Sequence, residues 1–368
     1  MKKTITIGSS AVLLIAAALW AADTKSQRKP NQPFAPAVDK GARWLVSVQG
    51  ADGGWGQDGG ETSYIRVGER VESNGNDVAN TAVAALALLE AGTQYRPNAE
   101  RAINFILQRV EASNAEGLSI TNVTGTQIQR KLGPYIDTFL TSRLLSQVDG
   151  TFSNPAMNAR VRRALEKCVA KIQQNQQSDG SWNISGGWAP VLGTSLASRS
   201  LFEAQRKGVK VENKVMARAD DYAKSVVKAA PATAGGAGAG RYSVSSTSES
   251  AGVALYQSGQ ALEQLSRTEK DRENNAPRIA ALQAQLSDGR FVDGFGSVGG
   301  EEFFSYLNIS DGMKRAGGPE WTKWHSGITQ KIVALQNNDG TWAGHHCITG
   351  RVAVTSAAML NLTVDRAN

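Results

Sequence analysis

Cysteine, histidine and long apolar runs are scarce in this chain of 368 residues. It contains two cysteines and three histidines, a count that excludes a disulfide framework and a zinc finger. The apolar run from Ala11 to Leu19 is shorter than the ~20 residues that a membrane-spanning helix needs. Because Cys168 and Cys347 lie 179 positions apart (347 − 168), the sequence leaves open whether they pair or remain separate thiols.

The first 22 residues have the pattern of a secretory signal peptide, with a basic start, an apolar core and small residues at Ala21 and Ala22. We expect residues 1–22 to be cleaved and residues 23–35 to form a linker. The mature protein would then be exported, either to the periplasm or out of the cell. The alternative is that the apolar segment is kept as a membrane anchor.

The chain carries only a small excess of charge. Its formal net charge is +7, and removal of Lys2 and Lys3 with the signal leaves +5 (7 − 2). A basic excess of this size, spread over the whole chain, favours a soluble protein rather than a nucleic-acid-binding one. We therefore predict no nucleic-acid partner, and no pattern in the sequence indicates a cofactor.

A repeated turn divides the chain. Four segments read Gln, two variable residues, Asp-Gly, one variable residue and an aromatic residue. Small apolar helices follow these turns, and six such helices begin near residues 77, 137, 194, 249, 303 and 352, at spacings of 60, 57, 55, 54 and 49 residues. A near-constant period of this length indicates a repeat architecture. The four turns are Gln49 to Trp55, Gln176 to Trp182, Gln285 to Phe291 and Gln336 to Trp342.

Six more polar helices alternate with the apolar ones. Five of them are predicted to start at a proline, which fits the first helical turn because its missing N–H has no partner there. The prolines are Pro36, Pro97, Pro155, Pro277 and Pro319, and the predicted helices cover 37–48, 98–112, 155–176, 213–229, 277–285 and 319–335. Twelve helices in this order predict an all-α protein, an (α/α)6 toroid over residues 36–368 with parallel inner helices and an outer ring.

The turn resembles the QW repeat of squalene-hopene cyclases, which protein prenyltransferase β subunits share in a looser form. The resemblance implies the same toroid. It also implies that the glutamine and the aromatic residue tie neighbouring repeats together. The corresponding structural residues are Gln49, Trp55, Gln176, Trp182, Gln285, Phe291, Gln336 and Trp342.

The catalytic patterns of these families are missing. The cyclases protonate an alkene with an Asp-x-Asp-Asp acid, and no such sequence occurs here; the nearest acidic pairs are Asp220-Asp221 and Glu301-Glu302. Prenyltransferases hold zinc with Asp, Cys and His, but the matching positions carry Phe295 in place of the cysteine and Val354 in place of the histidine. Both standard activities are therefore predicted to be absent.

A binding site could still form where the inner helices start, because parallel helices bring their positive N-termini to one mouth. Polar residues at these starts are candidate ligand contacts, although the same residue types are common helix caps. The candidates are Asp77, Asn80, Tyr135, Asp137, Thr194, Glu249, Ser250, Glu302, Tyr306 and Arg351.

A second cluster, His345, His346 and Cys347, precedes the last inner helix. These side chains are candidate metal ligands, and His346 or Glu302 is a candidate catalytic acid or base. Neighbouring residues in an extended segment point in opposite directions, so the three cannot easily share one ion. The sequence alone therefore assigns no metal.

Three functions remain open. The first is an exported non-catalytic toroid that binds an apolar ligand or a protein partner in or over its cavity; peripheral membrane contact is compatible with it. The second is a divergent cyclase-like or prenyltransferase-like enzyme with a relocated acid or metal site. The third is an α/α-barrel carbohydrate-active enzyme. Aromatic and aliphatic cavity walls would favour terpenoids, whereas tryptophan platforms with paired carboxylates would favour glycosides.

Overall fold

The computed structural model describes residues 34–58, 65–66, 71–72, 75–184, 190–229, 242–244, 254–292 and 299–366. Within these residues most of the regular secondary structure is helical. The predicted signal peptide and the candidates Glu249 and Ser250 lie outside them. In the part of the chain so described, no helix has both the length and the apolar character that a membrane crossing requires.

The regular elements follow one another with short connections. The helices are α1 (Ala35–Ser47), α2 (Val78–Ala91), α3 (Arg96–Ala112), α4 (Gln127–Leu132), α5 (Ile136–Val148), α6 (Pro155–Gln174), α7 (Pro190–Arg206), α8 (Asn213–Val226), α9 (Ala254–Leu265), α10 (Glu269–Leu286), α11 (Gly289–Val292), α12 (Gly300–Ala316), α13 (Gly318–Ala334) and α14 (Arg351–Leu362), with a 3-10 turn at Thr93–Tyr95. Two antiparallel pairs join β1 (Ile65–Arg66) to β2 (Val71–Glu72) and β3 (Val227–Ala229) to β4 (Tyr242–Val244).

Six helices form a closed inner ring. In ring order they are α2, α5, α7, α9, α12 and α14, and α14 packs against α2. The other long helices, α1, α3, α6, α8, α10 and α13, pack against the outside of this ring. The predicted all-α (α/α)6 toroid is confirmed.

Sequence composition explains which helices are inside. In α2 every residue from Val78 to Leu88 is buried, and many are alanines, which let helices approach closely on all sides. In α3, by contrast, Ile103, Ile106 and Val110 are buried on one face while Arg101 is exposed. This one-sided pattern is typical of a helix that covers a core.

The repeated turn is built around its tryptophan. In the first repeat the Trp55 indole Nε1 donates to the Leu45 carbonyl at 2.8 Å, and the Trp55 backbone N–H donates to Thr81 Oγ1 at 2.9 Å. The ring therefore fixes the end of an outer helix against the next inner helix. The same two bonds are made by Trp182 with Ile172 and Thr194, and by Trp342 with Ile332 and Thr355.

The glutamine of the turn reaches the next repeat. Gln176 Nε2 donates to the carbonyl of Gly180 within the turn and to that of Val215 on the following outer helix. Gly180 has φ +91, and a Cβ there would collide with the Arg218 carbonyl, so this position requires glycine. Gln49 bonds Gly53 and Asn98 in the same way, and Gln336 bonds Gly340 and, at the closure of the ring, Ala37.

The fifth repeat departs from the prediction. The sequence predicts an outer helix from Pro277, but α10 begins eight residues earlier and contains this proline. Thr268 caps the start of α10, because it forms a capping box with Asp271 that satisfies the first backbone N–H groups of the helix. Gln285 lies inside α10 and accepts a hydrogen bond from Ser258, whereas the Phe291 side chain lies outside the described residues.

Two other predicted boundaries were wrong. Helix α7 begins at Pro190, so Thr194 lies in its second turn and not at its start. The outer helix predicted to reach residue 229 ends at Val226, and residues 227–229 pair as strand β3.

Candidate functional site

The starts of the inner helices meet at one end of the ring, which we call the mouth. The Ala79 backbone N–H at the start of α2 donates to Asp137 Oδ1 of α5 at 3.0 Å. Farther round the ring, the Gly300 N–H at the start of α12 donates to the carbonyl of His346, which precedes α14. The starts of α2 and α5, and those of α12 and α14, are therefore joined in pairs.

The short helix α4 lies across the mouth and contacts α2, α5 and α7. Gln127 Oε1 accepts hydrogen bonds from the N–H groups of Thr349 and Gly350, both at 2.9 Å, so α4 is also joined to the segment before α14. Sequence reasoning missed this helix, although Thr126 and Gln129 form a capping box that could have indicated it.

Asp77 and Asp137 are two buried carboxyls beneath α4. Asp77 caps α2 by accepting from the Asn80 N–H at 2.8 Å, and Asp137 also accepts from Gln129 Nε2 at 2.7 Å. Burial, reinforced by the neighbouring Asp137 charge, raises the pKa of Asp77 to about 7. Burial raises the pKa of Asp137 to about 6.

The start of α2 carries a single carboxyl. Residues 77–80 read Asp-Val-Ala-Asn, and the first turn after the N-cap Asp77 contains no acidic residue. The sequence Asp-x-Asp-Asp does not occur in the chain.

The opposite end of the ring is filled by buried charges, which we call the ion-pair cluster. Arg199 of α7 pairs with Asp311 of α12, although α9 separates these two helices in ring order. Glu263 of α9 pairs with both Arg267 and Arg315. The remaining members are Glu203, which pairs with Arg199 at 2.7 Å, and Arg143, which lies 3.9 Å from Glu203.

Burial and neighbouring charges within the cluster shift the pKa values of its members. Burial alone would raise the pKa of Glu263, but the charges of Arg267 and Arg315 overcome this effect and lower it to about 2. Burial and the nearby Arg143 charge lower the pKa of Arg199 to about 9. Glu263 and Arg199 are therefore charged at neutral pH.

Unpartnered polar side chains stand one helical turn from the cluster, on the same helix faces. In α7, α9 and α12, a buried polar side chain with no hydrogen-bond partner among the described residues precedes a cluster member by three or four positions. The pairs are Ser195 with Arg199, Gln260 with Glu263, and Asn308 with Asp311. Buried polar groups without partners among the described residues therefore lie beside the cluster on three inner helices.

The other mouth candidates are used in local contacts. Tyr306 donates to Glu302 Oε2 at 3.1 Å and accepts from Lys331 of α13. Burial raises the pKa of Glu302. Arg351 lies 3.3 Å from Asp58 and from Asp339, and Tyr135 is the half-buried residue before α5. Thr194, in the second turn of α7, accepts a hydrogen bond from the Trp182 backbone N–H and so helps to hold the repeated turn that ends at Trp182.

The cysteine and histidine candidates separate in the structure. His345 is exposed, whereas the side chains of His346 and Cys347 lie close to that of Glu301, the second residue of α12. Their ligand atoms all lie within 4.8 Å of one another. Cys168 is buried in α6, and both thiols are unpaired. Sequence reasoning missed Glu301 as the neighbour of His346 because 45 residues (346 − 301) separate them.

Comparison with known proteins agrees with this architecture. Residues 20–132 match the family described as squalene-hopene cyclase C-terminal domain. A squalene-hopene cyclase of Bradyrhizobium diazoefficiens is 35% identical over 83 residues, which are 23% of this chain and 12% of that enzyme. A probable squalene-hopene cyclase of Sinorhizobium fredii is 37% identical over 71 residues, 19% of this chain and 11% of that enzyme. The chain has a terpene cyclase-like α/α-toroid fold.

Solved structures extend the match to the whole toroid. A type II terpene cyclase from Scytonema in complex with merosterolic acid A has a TM-score of 0.51 at 10% identity, covering 90% of this terpene cyclase-like chain and 96% of that one. An inactive α-1,6-mannanase variant of Salegentibacter in complex with α-1,6-mannotetrose has a TM-score of 0.58 at 7% identity. This match covers 90% of this chain and 98% of that one. At these identities the likeness concerns the fold alone. The sequence matches to the cyclases cover a small part of those enzymes.

Proposed function

We propose that the protein is an exported, non-catalytic binding protein that neither cyclises squalene nor transfers prenyl groups. The observation that carries this proposal is that the sequence contains no Asp-x-Asp-Asp. At the start of α2 the one carboxyl, Asp77, serves as the helix cap.

The carboxyls that remain at the mouth do not replace the missing acid. Asp77 and Asp137 accept hydrogen bonds from backbone N–H groups at the start of α2. Their raised pKa values, about 7 and about 6, make them weaker acids than an ordinary aspartic acid. Protonation of an alkene needs a stronger acid.

The ring interior supports a hydroxyl-bearing ligand over a purely apolar one. An apolar ligand would leave the buried amide of Asn308 and the hydroxyl of Ser195 without partners, at a cost of about 1 to 3 kcal/mol for each group. A ligand with several hydroxyls, or ordered water, would satisfy them. We therefore propose a polyol, an oligosaccharide or a hydroxylated terpenoid as the ligand class.

The test of the negative part is an activity assay. Purified protein is incubated with squalene, or with prenyl diphosphates and thiol peptides, with and without zinc, and the products are analysed by mass spectrometry. We expect no turnover under any condition. Turnover that disappears in Glu302→Gln or His346→Ala would establish an enzyme with a relocated site.

The test of the positive part is ligand identification. Mass spectrometry of small molecules that co-purify with the native protein is followed by calorimetry with the molecules found. A hydroxylated ligand that binds wild type and binds Asn308→Leu more weakly supports the proposal. Preferential binding of squalene or another hydrocarbon, unaffected by Asn308→Leu, would refute the polar-ligand assignment and favour an apolar ligand.

A second candidate function rests on the Asp77–Asp137 pair. Two coupled carboxyls with pKa values near neutrality suit general acid–base chemistry, including glycoside hydrolysis, and the mannanase neighbour has the same ring fold. Hydrolysis of α-1,6-manno-oligosaccharides that is lost in both Asp77→Asn and Asp137→Asn would replace the binding proposal with this one.

A further inference from the structure

Glu301 is a buried carboxyl at the start of α12, beside His346 and Cys347. Its side chain is 1% exposed, and neither Oε1 nor Oε2 makes a hydrogen bond of standard geometry among the described residues. A carboxylate in this state carries a large desolvation cost unless something compensates it. The nearest compensating side chains are His346, whose Nδ1 lies 3.7 Å from Glu301 Oε1, and Cys347.

The spacing of the three side chains is compatible with a shared ion. A distance of 3.7 Å between His346 Nδ1 and Glu301 Oε1 exceeds the usual hydrogen-bond range. Bond lengths to zinc of about 2.0 to 2.3 Å place two tetrahedral ligands about 3.3 to 3.6 Å apart. The three ligand atoms, all within 4.8 Å of one another, therefore need to move by only about 1 Å.

We propose that Glu301, His346 and Cys347 form a divalent metal site of zinc type at the mouth of the toroid. Carboxylate, imidazole and thiolate are the three ligand classes that zinc uses in proteins. The His346 side chain is 41% exposed, so a fourth position on the ion can open to solvent. This is the ligand count of a zinc site that keeps one place for water or a bound molecule.

The surrounding backbone holds the three ligands in place. The Gly300 N–H donates to the carbonyl of His346 at 3.2 Å and joins the two segments. A Cβ on Gly299 would lie 2.6 Å from Glu301 Oε1, so a glycine at this position leaves the carboxylate its space. Lys131 of α4 also approaches the Cys347 thiol, but burial and the neighbouring Glu301 raise the pKa of this thiol to about 12, so a bound ion would have to displace its proton.

The site differs from the zinc position expected by family resemblance. That position would use residues 295 and 354, which are phenylalanine and valine here. The site also corrects the trio suggested by sequence, because Glu301 replaces the exposed His345. It does not depend on the proposed binding function, since an ion here could be structural or could contact a ligand.

Metal titration of the full-length chain, freed of metal by dialysis against a chelator, tests the site. Zinc affinity is measured by competition with a chromophoric chelator, and bound Co²⁺ is followed by its thiolate charge-transfer absorption. We expect one ion per chain and a thiolate-to-cobalt band. Removing a residue that only orients a metal ligand lowers metal affinity by about 10- to 100-fold. Cys347 would be a direct ligand, so Cys347→Ser is expected to lower zinc affinity by at least about 100-fold and to abolish the band.

Three variants separate the site from its neighbours. His346→Ala should weaken zinc binding, whereas the matched control His345→Ala should leave the affinity within about twofold, because this imidazole is exposed and outside the trio. Cys168→Ala should keep the cobalt band. Circular dichroism of the metal-free variants verifies folding. Absence of stoichiometric binding, a band that survives Cys347→Ser, or equal losses in the two histidine variants would overturn the proposal.

Discussion

The two ends of the inner ring bury carboxylates in opposite electrostatic settings. At the mouth, Asp77 and Asp137 have no basic partner among the described residues and are held by amide and backbone N–H groups. In the ion-pair cluster, Glu263 lies between Arg267 and Arg315. The first arrangement raises the carboxyl pKa values and the second lowers that of Glu263.

This difference shows that one fold can bury carboxylates both with and without charged partners. In the cluster, ionised Glu263 contributes stability that is lost only as the pH falls toward about 2. The mouth carboxyls cost free energy when they ionise, because water can no longer solvate them. The two ends are therefore expected to respond to pH in opposite directions.

The largest loss of stability is expected when the apolar anchor of a turn at the mouth end is removed. Trp182→Ala should lower the free energy of unfolding by about 3 to 5 kcal/mol, because the indole is 4% exposed and its bond to the Ile172 carbonyl is lost. Urea unfolding followed by circular dichroism measures the change. Trp321→Ala, which alters a partly exposed ring, is the control and should cost less. If Trp182→Ala left the free energy of unfolding unchanged, the structural role of the turn would be contradicted.

Neutralising the centre of the cluster should cost nearly as much. Glu263→Gln leaves Arg267 and Arg315 without their charged partner, and loss of one member of a buried pair costs about 3 kcal/mol or more. The loss should disappear on acidification, because Glu263 stabilises the fold above its unfolded pKa and loses this effect as pH falls from about 4.5 to about 2. The exposed control Glu273→Gln should remain within about 0.5 kcal/mol of wild type.

The opposite pH dependence is expected at the mouth. The pKa of Asp77 is raised to about 7, so wild type should lose stability as pH rises from about 4 to about 7, where the folded state must give up a proton. Asp77→Asn keeps a capping side chain without this cost and should exceed wild type by on the order of 2 kcal/mol at pH 8 but not at pH 4. Denaturant midpoints across this range test the prediction. Parallel curves for the two proteins would refute it.

The smallest effect is expected at the closure of the ring. Gln336→Ala removes the bonds from one side chain to the carbonyls of Ala37 and Gly340 and should cost about 1 to 2 kcal/mol. Gln285→Ala is the matched control, because this glutamine lies inside α10 and makes a single long contact with Ser258. Equal losses would show that the tie between the first and last repeats has no special role.

Much of the fold is predictable because local signals mark its helices. Pro155 begins α6, and the Asp-Gly turns end the outer helices where the structure requires glycine. The start of α10 is harder to predict because Pro277 suggests a boundary, although Thr268 and Asp271 already form a cap earlier in the chain. A proline can lie within a helix when solvent satisfies the carbonyl that loses its partner.

The site is harder to predict because its contacts are remote in sequence. Arg199 and Asp311, which are 112 positions apart (311 − 199), look like surface charges until the ring brings α7 and α12 together. Glu301 and His346 are also remote in sequence and come close together only in the folded ring. Periodicity predicts which face of a helix is apolar, but it does not predict which charges on buried faces find each other.

Ring closure through Gln336 has a consequence for how the chain folds. The bond to the Ala37 carbonyl joins residues 299 positions apart, whereas most other contacts between repeats join neighbours along the chain. Closing so long a loop costs conformational entropy before its contacts form. We therefore expect an open arc of stacked helices to form first and the last helix to dock on the first as the slow step. At high protein concentration that exposed edge would also accept the edge of another chain, so refolding yield should fall as concentration rises.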